Sequence, residues 1–163
     1  MTRINLVHVQ DLADQHLFAE WREIKMVPAA LRRSLRTRSI HDVSSSIGLT
    51  YTLNKGHVTF FYNKMLFLFQ RYKQLTDELH ARDFSIAEHD PDQLFLTDIV
   101  PEMQDPFWSP SNDEIEISVD RISLRLNERP EWYRYYGKVE SPEFFIELYN
   151  QQLLVDTLAK STV

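Results

Sequence analysis

Three groups of residues in this chain have the types and spacing to do chemistry. The first is the start itself, MTRINL: Thr2 is small enough that trimming of the initiator methionine would leave a threonine with a free α-amino group. Such an amine is a nucleophile when unprotonated, yet most chain ends are frayed and inert. The second group lies on an amphipathic run, where His16, Glu20 and Glu23 are spaced by four and three and share a helix face. Arg22 lies about 100° round from Glu23. A carboxylate beside a guanidinium can move a proton next to an anion, and it is also the commonest kind of solvated surface pair. The third group combines Arg121, Arg125 and Arg129, recurring every four residues as a single basic stripe, with EWYRYYGK at 131–138. Aromatic faces interleaved with cations are the two ingredients of nucleic-acid contact. The same residues also serve as an aromatic core plug with solvated cations, and their types alone leave both readings open.

Four periodic segments must position these groups. The first runs from Asp14, a suitable N-cap, through Leu17, Trp21, Ile24, Val27, Leu31 and Leu35, and Pro28 inside it should kink or divide it. The second, Val58, Phe61, Met65, Leu68, Tyr72, Leu75 and Leu79, reads as one long core helix. A third follows SPSND with Ile115, Val119, Ile122 and Leu126, and stops before Pro130. Ser141, Pro142 and Glu143 read as an N-cap, a first-turn proline and a dipole-complementing acid. They start a fourth helix with Phe144, Leu148, Val155 and Leu158 on one face. The expected architecture is all-α: a single compact domain of three main helices plus a C-terminal helix, with long irregular loops at roughly 39–56 and 84–112.

Charge is distributed unevenly. Residues 1–85 carry 12 Lys/Arg against 8 Asp/Glu, whereas residues 86–163 carry 6 against 16, within a net charge of −6. Between Arg82 and Arg121 there are eleven acids and no Lys or Arg. A polyanionic partner would need that run turned away from the basic surface. The chain has no cysteine, and its six histidines form no HxxxH or HxH pair, so neither a disulfide framework nor a metal site is expected. No apolar run approaches the roughly 20 residues of a membrane span, and no leader pattern is visible. The expectation is a cytoplasmic, intracellular protein without membrane contact.

MTRINL, LADQH (12–16), AEWRE (19–23), GHVTFFYNK (56–64) and RPEWYRYYGK (129–138) occur in one order and spacing. Together they resemble the pyrimidine dimer DNA glycosylases of the phage endonuclease V type. The resemblance covers residues 1–138, with 139–163 as a C-terminal helical extension packed on the same domain. It implies a monomeric repair enzyme, without cofactor or metal, that acts on double-stranded DNA containing pyrimidine dimers. It further implies that the α-amine of Thr2 attacks the anomeric carbon to form an imine, with β-elimination following. A terminal amine has a pKa of about 7.7–8.0 against about 10.4 for lysine, so roughly a tenth is unprotonated at neutral pH.

By the same resemblance Glu23 takes the acid/base role, and Arg3 and Arg22 hold the damaged strand. Gln15 and His16 lie at the DNA interface. Arg121, Arg125 and Arg134 fall at basic phosphate contacts, and Trp132, Tyr133, Tyr135 and Tyr136, with Lys138, complete the damage-binding surface. There are three departures. Met26 stands where the family pattern has a further arginine, and Lys25 replaces it only if Pro28 reorients the helix. The 86–120 segment is more acidic than in the phage proteins, which implies weaker non-specific DNA affinity. The tail from Val139 has no counterpart in the short phage enzyme.

Overall fold

A computed structural model describes residues 4–161, with side chains through Ala159. Thr2 and Arg3 lie outside the described residues. In chain order the helices are α1 (Asp14–Glu23), α2 (Met26–Leu35), α3 (Ile40–Ser45), α4 (His57–Phe60), α5 (Met65–Ala81), α6 (Pro91–Phe95), α7 (Asn112–Glu128) and α8 (Pro142–Ser161). Between α7 and α8 a small hairpin pairs β1 (Arg134–Tyr135) with β2 (Lys138–Val139). The chain is all-α apart from this ribbon, a single compact domain as the periodicity predicts. Among the described residues no helix is long and apolar enough to cross a membrane, and no group of His, Asp or Glu is arranged to hold a metal.

The first expected helix is divided, as Pro28 requires. α1 ends at Glu23, and Pro28 sits in the first turn of α2, where its missing N–H costs nothing. Asp14 is not the N-cap: Ala13 takes that position, and the Asp14 carboxylate is spent on distant partners described below. The second expected helix is also broken, between α4 and α5. The Asn63 carbonyl accepts from the Asp105 N–H at 2.9 Å, and Lys64 bridges to Gln104. These bonds draw the backbone of 63–64 out of the helical ladder, so α5 starts afresh at Met65.

The helix starts with local side-chain caps form where the sequence places them. Ser111 and Glu114 make a reciprocal capping box on α7, and Ser141 precedes Pro142 at α8. Much of the acidic run does the same work: Asp90 caps α6, Asp92 lies in its first turn, and Asp113 and Glu114 lie in the first turn of α7. Their charge complements the helix dipoles.

α5 is the centre of the core. Trp21 of α1 stacks on Tyr72 with ring centroids 6.3 Å apart and donates its Nε1–H to Thr76 Oγ1 at 3.1 Å. Phe95 of α6 meets Tyr72 from the other side at 5.5 Å. α8 packs on α7, but with a face rotated from the expected one. Phe145, Tyr149 and Gln152 are buried, Phe144 and Leu148 are half-buried, and Val155 and Leu158 stand 62% and 66% exposed. In a Phe–Phe doublet periodicity cannot choose the inward member. Phe145 is the one sealed inside, and both rings meet Tyr135, Phe144 at 5.2 Å and Phe145 at 6.1 Å.

Candidate active site

Residues 4–8 form an irregular segment, buried from Ile4 to Val7 and without a β-strand partner among the described residues. Buried backbone groups must be paired, and here side chains from four helices and a loop do the pairing. The Ile4 N–H donates to His57 Nε2 at 2.9 Å, and the Ile4 carbonyl accepts from Tyr51 Oη at 2.9 Å and from Arg121 at 3.4 Å. The Leu6 N–H donates to Ser118 Oγ of α7 at 3.0 Å. The Val7 carbonyl accepts from Arg71 of α5 at 2.7 Å. The His8 N–H donates to Gln152 Oε1 of α8 at 2.7 Å. The 4–8 segment is thus pinned along its length.

One buried ion pair locks the segment to α1. Arg71 grips Glu20 through two bonds, Nε to Oε1 at 2.8 Å and an NH2 nitrogen to Oε2 at 3.2 Å. Asn5 donates its side-chain amide to Glu20 Oε2 at 2.8 Å, and its own oxygen accepts from Arg121 at 2.9 Å. Beside this lies a cleft of about 200 Å³ lined by Asn5, His16, Ala19, Glu20, Arg121 and Arg125, among others. His16 and Ala19 come from the α1 stripe that Glu23 continues one turn on, so the half-buried Glu23 extends the same wall. Arg22 is exposed, its guanidinium 6.0 Å from the Phe18 ring centre. Lys25 places its ammonium 3.8 Å over the Trp21 ring. Burial, and then the neighbouring Arg22 charge, lower its pKa. Met26, where the family pattern has arginine, is 55% exposed at the start of α2.

The basic stripe on α7 is put to unequal uses. Arg121 is tied to the N-terminal segment, Arg125 pairs with Glu128 at 2.8 Å, and Arg129 lies 5.6 Å from the Trp132 ring centre. The aromatic block alternates, as a strand does. Tyr133 is buried against His16 at 4.7 Å, and Tyr135 turns toward α8, whereas Trp132 and Tyr136 are each 49% exposed. Arg134 and Lys138 are both exposed.

The turn of this hairpin is Tyr136–Gly137, with φ of 48° and 79°. Two successive positive φ values are the type I′ geometry that a two-residue hairpin needs. Tyrosine there is strained by about 1 kcal/mol or more. The three residues Asp14, Gln15 and His16 hold it in place. Asp14 accepts from the Tyr136 and Gly137 N–H groups at 3.2 and 2.9 Å. Gln15 donates to the Trp132 carbonyl at 2.7 Å and accepts from the Arg134 N–H at 3.0 Å, imitating a neighbouring strand. Under the turn, buried Arg82 bonds Asp14 and Glu78 at 2.9 and 2.8 Å, and its guanidinium lies 4.6 Å from the Tyr136 ring centre. Tyr136 Oη also donates to Glu78 at 2.9 Å.

Sequence reasoning does not identify Asn5, Tyr51, Arg71, Arg82 or Ser118 as parts of this arrangement, and it reads His57 only as a helix-entry residue. Each is a buried polar group whose partner lies dozens of residues away, and hydrophobic periodicity carries no signal for such pairs. His57 had one local sign: it opens the apolar run VTFF directly after Gly56, where a solvated imidazole would be out of place. The ring is neutral, Nδ1–H donating to the Thr52 carbonyl at 2.6 Å while Nε2 accepts from Ile4. Burial pushes its pKa down to about 4.

The site therefore consists of a buried N-terminal segment delivered to a carboxylate-bearing helix, flanked by arginines and an aromatic hairpin. A family model described as pyrimidine dimer DNA glycosylase matches residues 1–92, which include the segment, α1 and the His57 loop. That match spans more than half of the 163 residues, and the chain belongs to the pyrimidine dimer DNA glycosylase family.

Proposed function

We propose that this protein is a bifunctional glycosylase and abasic-site lyase in which the α-amine of Thr2 is the nucleophile. The observation that carries the reading is the pinning of Ile4. With Ile4 held, two residues of chain remain before the Thr2 nitrogen, a reach of roughly 7 Å. A reaction by that amine would then take place within that reach of the Ile4 nitrogen, next to the residue whose side chain bonds Arg121.

In the proposed reaction the unprotonated amine attacks C1′ of the 5′ nucleotide of a cyclobutane dimer. The new N–C1′ bond replaces the glycosidic bond, whose electron pair leaves with the base as it is protonated. Opening of the C1′–O4′ bond, with a proton returned to O4′, gives the imine. Glu23 serves this step by proton transfer. The imine then acidifies C2′, Glu23 takes that proton, and the electron pair expels the 3′ phosphate. Arg22 and Arg3 hold the strand, with Arg121 and Arg125 beside the cleft and Arg134 and Lys138 on the hairpin supplying phosphate contacts. Lys25, beside Arg22, adds a further cation on the α1 side. Trp132 and Tyr136 offer the open aromatic faces against which unstacked bases can rest.

Borohydride reduction tests the reading. A covalent complex with duplex containing a single cyclobutane dimer is expected from protein whose mass shows Met1 removed, and none from protein that retains it. Duplex bound tightly but never trapped or nicked would leave a binding protein of this fold in place of an enzyme. Glu23→Gln should bind the same duplex while losing strand cleavage.

A further inference from the structure

We infer that His57 is the positioning residue of the N-terminal nucleophile: its Nε2 fixes the Ile4 N–H and thereby sets where the two residues ahead of Ile4 can reach. This rests on the reading that the Thr2 amine reacts.

Ile4 is the first of the described residues, and its backbone is held on both sides. Its carbonyl is shared by Tyr51 and Arg121, but its N–H, the group nearest the terminus, has His57 as its acceptor. Removing that acceptor leaves the Ile4 nitrogen unfixed, so that among the described residues the first fixed atom becomes the Ile4 carbonyl. Everything ahead of Ile4 is joined through that nitrogen, and a misplacement of about 1 Å at a reacting centre costs on the order of 100-fold in rate.

The imidazole suits this task because both of its nitrogens are committed. Nδ1–H hangs the ring from the Thr52 carbonyl, and only the neutral ring then presents an acceptor to Ile4. Tyr51 and Phe61 fix the ring plane edge-on, each with centroids 5.4 Å away. The loop that suspends His57 also supplies Leu53 and Asn54 to the wall of the cleft. One residue thus couples the nucleophile's tether to the surface it must face.

The test compares wild type, His57→Phe and His57→Gln, the last of which keeps an acceptor oxygen near the Nε2 position. Single-turnover borohydride trapping is measured on dimer-containing duplex, binding on duplex carrying a tetrahydrofuran abasic analogue, and hydrogen exchange at the Ile4 amide. His57→Phe should trap on the order of 100-fold more slowly, while its Kd for the analogue duplex changes less than about twofold. His57→Gln should recover at least about tenfold of that loss. Should His57→Phe fail to fold, Tyr51→Phe loosens Ile4 from its carbonyl side and should slow trapping by about tenfold. Trapping at the wild-type rate in the folded variants, or a loss carried wholly by Kd, overturns the inference. Unchanged Ile4 protection in His57→Phe overturns the clamp alone. Protection lost in the variant, with no trapping even by wild type, overturns the amine reading and His57's catalytic service with it.

Discussion

The N-terminal segment and the aromatic hairpin are both fastened to α1, but by opposite physical means. The segment is dry: Glu20, Arg71, His57 and Ser118 are buried, and their bonds are closed to water. The hairpin is wet: the Gln15 bonds lie at the surface, and the turn carries a tyrosine at positive φ. Buried bonds are costly to break because they leave desolvated groups unpaired. Exposed bonds are cheap to break because water replaces them. The molecule thus holds the 4–8 segment rigidly and lets the aromatic hairpin adjust.

The sharpest way to break this contrast is Glu20→Ala, which leaves Arg71 buried without its carboxylate. A loss of about 3–5 kcal/mol is expected in urea unfolding, and a loss below about 1 kcal/mol would mean that the segment is not anchored as described. Next comes pH. The unfolded His57 titrates near 6.5 and the folded one near 4, so between these values the unfolded state binds the extra proton. Its contribution is therefore complete above pH 6.5 and is lost as pH falls toward 4, by about 3 kcal/mol at most. Unfolding curves of wild type and His57→Gln at pH 7 and 4.5 isolate it, since the variant should lack this share of the acid sensitivity.

Asp14→Asn should cost about 2 kcal/mol, because Arg82 keeps Glu78 but loses a charged acceptor. Relaxation of Tyr136 toward negative φ, read from its backbone couplings, should accompany the loss. Gln15→Ala should cost least, about 0.5–1 kcal/mol, with a larger relative effect on binding of dimer-containing duplex than on melting temperature. A Gln15→Ala loss as large as that of Glu20→Ala would erase the distinction between the two regions.

These two regions also mark what could be read from the sequence. The start of α7 after SPSND and the Ser141–Pro142 start of α8 were legible because their signals lie within a few residues of the first turn. The division of the first helix followed from Pro28 alone. Asp14 looked like an N-cap because the same short acid that caps a helix can reach Arg82 and the Tyr136–Gly137 turn, 68 and 122–123 residues away. The break at 61–64 was invisible for a similar reason, since Gln104 and Asp105 impose it from across the fold. At the site, Glu23, Arg22 and the hairpin aromatics stood out by type and order. The groups that hold them did not, because nothing near them in the chain announces a buried partner.

The length of the hydrogen bonds along the chain has a consequence for biosynthesis. The 4–8 segment is fastened by groups made later: Ile4 waits 53 residues for His57, Leu6 waits 112 for Ser118, and His8 waits 144 for Gln152. At about 5–20 residues per second, roughly 7 to 30 s separate His8 from its partner on the ribosome. Through that interval residues 4–8 cannot complete their native pairing, so this buried segment closes only when the last helix docks, and a non-local topology of this kind folds slowly.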